Sequence, residues 1–97
     1  MTKLKRQYLQ YNKLWFNNEL PTDIIVRWSH KLSIMARWDN GEITINAKFK
    51  KWDAVWKLSL LHEMCHVATD DEPEEHGPRW KREMLRLAKL GVLDKLW

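Results

Sequence analysis

The sequence predicts an α+β domain in the order helix, three strands, helix, helix. Three observations lead there. Apolar residues recur at helical spacing near the N-terminus and again over 53–69; between those stretches they alternate with period two; and Asn40-Gly41 separates two of the alternating runs. The strands are expected to form a mostly antiparallel three-stranded sheet, with the helices packed on one of its faces.

Residues 2–17 place Leu4, Tyr8, Tyr11 and Trp15 on one helical face, and Asn17-Asn18 followed by Pro21 ends that helix. In the next segment Ile24, Val26 and Trp28 alternate with Ile25 and Arg27; Leu32, Ile34, Ala36 and Trp38 share a face, as do Ile43, Ile45 and Ala47. Asn-Gly tolerates the positive φ of a type I′ turn, so Asn40-Gly41 predicts a hairpin pairing Trp38 with Ile43 and Ala36 with Ile45. Asp53 is the expected cap of a helix running to about Thr69. A last helix opens at Gly77-Pro78, buries Trp80, Met84, Leu87 and Ala88, and ends at Gly91.

Composition narrows the function classes. With 44% apolar residues, seven Trp and few Gly or Pro, the 97 residues suit one ordered domain over 1–97. A core this small leaves a modest stability margin that a bound metal would raise. One Cys excludes an internal disulfide and fits an intracellular, reducing compartment. No apolar run reaches the roughly 20 residues of a membrane span, and the N-terminal residues lack a signal-peptide core. Of the 13 acids, five fall within 70–75, so the rest of the chain sets 17 bases against the remaining 8 acids. That basic body can attract nucleic acid or an acidic protein partner, though it equally suits a solvated surface.

The stretch from Ser59 to Trp80 holds three of the four His residues. On a wheel of about 100° per residue, the helix over 53–69 has a wide apolar side, interrupted only by Lys57, and a narrow side carrying Val55, Ser59, His62, Glu63, His66 and Thr69. His62 and His66 stand one turn apart, near enough for both imidazoles to reach one ion at roughly 2 Å. Glu63 sits just off that line, where it can take a proton from water and pass it to a leaving amine. "HEMCH" is therefore the H-E-x-x-H pattern, with zinc as its expected cofactor and Glu63 as its catalytic residue. Cys65 falls on the apolar side and reads as a small buried hydrophobe. His30 reads as a surface residue in a turn.

A catalytic zinc takes three protein ligands and keeps a position for water. His76 is the expected third metal ligand, after a gap long enough for the chain to turn back. The loop carboxylates Glu72, Glu74 and Glu75, and Glu83 on the last helix, are its rivals. The gap from His66 to His76 does not match the metzincin spacing.

"LHEMCHV" and "HGPRWKREML", preceded by "IIVRWSHKLSIMARW" and "EITIN", resemble the SprT-like domain of the SprT/Spartan metalloproteases. The resemblance implies a small zincin-like fold, zinc held by His62, His66 and His76, Glu63 as general acid/base, and hydrolysis of peptide bonds in protein substrates. Spartan-type members cut proteins crosslinked to DNA. The loop between His66 and His76 looks shorter than in larger relatives. No CxxC pair is present for an accessory zinc ribbon, nor an extension for ubiquitin- or clamp-binding motifs, so the basic body alone would contact DNA.

The expected partners are thus a protein or peptide substrate and DNA, with no membrane and a monomeric state. A substrate peptide is expected to lie antiparallel to an exposed strand at Met35 to Trp38. Tyr8, Tyr11, His30 and Arg37 are the unplaced candidates for stabilising an oxyanion. Two rival readings are a nucleic-acid-binding module with a structural zinc, which needs a fourth ligand, and an inert adaptor, which would not need Glu63.

Overall fold

The computed structural model describes residues 1–94, so the end of the domain expected over 1–97 lies outside the described residues. In chain order come α1 (Lys3–Trp15), β1 (Ile25–Ser29), β2 (Ala36–Asp39), β3 (Glu42–Asn46), a 3₁₀ turn (Ala47–Phe49), α2 (Asp53–Ala68) and α3 (Pro78–Lys89). The helix, three strands, helix, helix order is the predicted one.

The Thr2 hydroxyl accepts from the Lys5 N–H at 3.1 Å and starts α1. Its last turn gives way at Asn17 and Asn18, whose φ values of 53° and 57° lie in the left-handed region that Asn tolerates. Buried Asn12 then fixes the exit: its side chain donates to the Leu20 carbonyl at 3.0 Å and accepts from the Leu20 N–H at 3.1 Å. Tyr8, also buried, donates its hydroxyl to the Pro21 carbonyl at 2.6 Å. Neither amide nor phenol is left unpaired in the core.

The hairpin has the register expected of it, Trp38 opposite Ile43 and Ala36 opposite Ile45. Asn40 and Gly41 take φ values of 51° and 73°, as a type I′ turn requires. The sheet is not mostly antiparallel. Its order is β1-β3-β2, and β1 pairs with β3 in parallel, Val26 opposite Ile43 and Trp28 opposite Ile45. The 30–41 segment carries the chain out to the far edge, and the hairpin then brings β3 back between its neighbours. β3 suits the central position: Ile43, Thr44, Ile45 and Asn46 are all buried.

β2 is also shorter than the apolar alternation suggests, because Leu32 and Ile34 do not join the ladder. The Asn46 side chain instead donates to the carbonyls of Leu32 and Ile34, each at 3.1 Å, and holds the incoming chain as a loop. β2 therefore remains a four-residue edge strand.

Val26, Trp28, Ile43 and Ile45 form the sheet face that meets the helices, and the Trp28 and Trp56 rings cross edge to face at 5.5 Å. Trp56, Leu60, Leu61, Met64 and Cys65 of α2 are almost wholly buried. Each of the large ones is stabilised by about 1.5–3 kcal/mol relative to an exposed position. Asp53 is not the cap of α2: Trp52 occupies that position without a side-chain bond, and Asp53 accepts from the Trp56 indole at 3.1 Å. In α3, Gly77 and Pro78 open the helix and Gly91 follows it at φ 74°, as predicted. Ala88, expected to be buried, faces solvent. Among the described residues, no helix is long and apolar enough to cross a membrane.

Candidate metal centre

α2 is buried nearly all round. Its narrow polar side packs under β2, so Ser59, Glu63 and Thr69 are as enclosed as the apolar residues. His62 and His66 remain half-exposed and face a cleft of about 590 Å³. The loop after α2 closes the other wall. Trp38 anchors its start through an indole donation to Asp70 at 2.7 Å.

The same loop returns His76 to the histidines of α2. Nε2 of His76 lies 3.2 Å from Nε2 of His62, and one ring nitrogen from each of His62, His66 and His76 falls within 4.8 Å of the others. Two nitrogens bound tetrahedrally to one zinc at about 2.0–2.1 Å stand roughly 3.3 Å apart, so the donor set fits that ion. The His76 backbone takes a φ of 57°. A left-handed conformation costs a non-glycine residue about 1 kcal/mol or more, and here it turns the ring toward its two partners.

Glu72 explains how that loop is fixed. Its carboxylate accepts from the Arg79 N–H at 2.8 Å and the Trp80 N–H at 3.3 Å, capping α3 from a distance in sequence. A Cβ at Gly77 would lie 2.7 Å from the Glu72 carboxylate, so glycine leaves room for the cap. Arg79 also pairs with Asp71 at 2.8 Å. With Glu72 committed to the helix end, it is not available as the rival ligand. Glu83 is committed as well, to Arg86 at 2.9 and 3.1 Å, and lies outside the cleft. Glu74 and Glu75 are exposed and line the cleft mouth.

Trp80 is the wall that sequence reasoning assigned only to packing. It stacks on His66 at 5.3 Å and meets His62 and His76 edge-on at 4.9 and 4.5 Å. Its indole donates to the His62 carbonyl at 3.4 Å. The signal was its place three residues after Gly77, on the helix face turned toward α2.

Electrostatics sort the groups. Burial, reinforced by the neighbouring imidazoles, pushes the His62 pKa down to about 4, and burial likewise lowers that of His66. Both rings are therefore neutral at pH 7, the state that binds a metal. Glu63 is pushed up to about 7, first by burial and then by the Glu75 charge, while a hydrogen bond from the Trp38 backbone N–H opposes the shift. Its Oε2 lies 3.8 Å from Nε2 of His62. Cys65 is wholly buried and its thiol is pushed up to about 12, mainly by burial, so it is unreactive packing. Of the four candidates for an oxyanion partner, Arg37 lines the cleft; Tyr8 and Tyr11 are buried in the core and His30 lines a different concavity.

The Glu63 shift has a consequence for the metal-free protein. An unfolded glutamate titrates near 4.5, so between that value and about 7 the folded chain holds a proton that the unfolded chain has released. Stability therefore falls as pH rises through this window. Glu63→Gln removes the penalty: in the metal-free chain it adds about 1–3 kcal/mol at pH 8 and nothing near pH 4. Urea melts at the two pH values read the difference, and an equal effect at both would show that the carboxyl is not buried as described.

No solved structure matches the chain. The model of the SprT-like family matches residues 4–95, a span that takes in α2, α3, the sheet, all of α1 but its first residue, Glu63 and the three converging histidines, and the chain belongs to the SprT-like family.

Proposed function

We propose that the chain is a zinc-dependent metallopeptidase that hydrolyses peptide bonds in protein substrates. The convergence of three imidazoles beside one buried carboxylate carries this reading; family membership supports it. His62, His66 and His76 would hold zinc through their ring nitrogens. When bound, zinc supplies Lewis-acid polarisation and acidifies water. Glu63 takes the proton of the attacking water on a carboxylate oxygen and delivers it to the leaving amine; its place beside His62, with Oε2 3.8 Å from Nε2, suits both halves of that transfer. The Trp38 N–H orients the carboxylate, and Trp80 excludes solvent from one side. The outer edge of β2 offers its main chain to an extended peptide.

A structural zinc site would close its coordination with a fourth side chain. Among the described residues the converging donors are these three imidazoles, which favours the catalytic reading. Casein digestion tests it: the zinc-loaded chain cleaves, a chelator abolishes cleavage, and added zinc restores it. Digestion indifferent to the chelator would overturn the proposal.

We further propose that DNA is met beside the cleft, on a concavity of about 520 Å³ lined by Arg27, Trp28, His30, Lys31 and Arg37, the last of which also lines the cleft. Lys50 lies over the Trp28 ring at 5.5 Å. Phosphates neutralised there release counterions, so three contacts to single-stranded DNA would weaken binding about tenfold or more between 50 and 200 mM salt. Fluorescence anisotropy with a labelled oligonucleotide measures this, and a flat salt response would rule the surface out.

A further inference from the structure

We infer that the apolar recess beside His62 and Glu63 receives the substrate side chain immediately after the scissile bond and selects a large aliphatic or aromatic residue there. The inference rests on the metallopeptidase reading. The recess has a volume of about 330 Å³, and its walls are Ile34, Met35, Ala36, Leu58 and Ser59 together with His62 and Glu63. Ile34, Ala36, His62 and Glu63 also line the metal cleft, so the two cavities adjoin. The volume lies at the low end of ligand pockets, about 300–1,000 Å³, and suits one or two side chains. The acidic loop contributes to the cleft and not to the recess.

Two large apolar residues stand in water at this mouth, Ile34 at 52% and Met35 at 46% exposure. Further along the same edge Arg37 and Asp39 are polar. An apolar occupant would cover Ile34 and Met35 next to the reacting groups.

Backbone parity gives the direction. The Asn46 N–H donates to the Met35 carbonyl at 2.8 Å, so alternate residues Met35 and Arg37 turn their main-chain groups toward β3. Ala36 and Trp38 turn theirs outward. The Trp38 N–H is bonded to Glu63, which leaves the Ala36 N–H and C=O as the pair for an added strand. A peptide antiparallel to β2 runs from the Asp39 end toward Ile34. Residues after the scissile bond therefore enter the recess. In the reaction, a water oxygen bonds to the carbonyl carbon, the C–N bond breaks, and the nitrogen gains a proton from Glu63. The residue in the recess leaves as the new N-terminus.

Peptides that vary only the residue after a single cleavable bond test this on the zinc-loaded chain, with cut sites read by mass spectrometry. The expected kcat/KM for Leu, Met or Phe exceeds that for Gly by about 10–200-fold. Ile34→Gln and Met35→Gln, both neutral and exposed, each reduce that preference several-fold. A readout without turnover uses Glu63→Gln protein: leucinamide shifts the Ile34 and Leu58 methyl NMR signals and glycinamide does not. A flat profile, a preference for charged residues, or an apolar preference before the bond would overturn the subsite and leave the metallopeptidase reading standing. Failure to cut any peptide would remove both.

Discussion

Glu63→Gln lowers peptide hydrolysis by about 10²–10⁴-fold while the zinc content stays at that of the parent chain. The amide matches the carboxylate in size and can still accept the Trp38 N–H, so the packing of α2 under β2 persists. It can neither take a proton from water nor return one to an amine. The carboxylate is not one of the three converging donors, so metal affinity is expected to survive. The check is turnover and bound metal measured on the same preparation. Full activity in the variant would eliminate Glu63 as the proton carrier; loss of zinc alongside activity would make it a ligand instead.

His62→Ala has the second large effect, and its signature is a dependence on metal. A ligand at a thousand times its dissociation constant stabilises a fold by about 4 kcal/mol. At about 4–8 °C per kcal/mol for a domain of this size, the zinc-loaded variant melts more than 10 °C below the zinc-loaded parent. Without zinc the two chains differ by only a few degrees. His62 is half-exposed and neutral at pH 7, so truncating it uncovers little buried surface in the metal-free chain. Calorimetry with and without chelator separates the cases. An equal drop in both would mean that His62 stabilises the fold by packing and not through an ion.

Much of this was legible in the residues. Asn40-Gly41 gave the hairpin register because turn chemistry and apolar alternation had to agree on one pairing. H-E-x-x-H located two histidines and a glutamate because helical spacing is local. What failed was non-local. Alternation in β1 shows which face is apolar but not which strand lies alongside, so the parallel pairing with β3 was missed. The shortening of β2 depends on one amide, Asn46, reaching across to Leu32 and Ile34. A helical wheel registers polarity, not cover, and could not show that Ser59 and Glu63 on the polar side of α2 are enclosed while His62 and His66 stay open to the cleft. Glu72 caps α3 from six residues before Pro78, outside the window in which capping rules apply. The third histidine could be suspected from its position, yet only the committed carboxylates of Glu72 and Glu83 reduce the competition.

The left-handed backbone at position 76 sets two selection pressures against each other. Glycine would sit there without strain, and asparagine nearly so. A population of metal-free variants screened for heat endurance alone would therefore drift toward those residues and lose the third imidazole of the proposed zinc site. Screening must include a readout of chemistry at every round, or this position will be the first to be traded away.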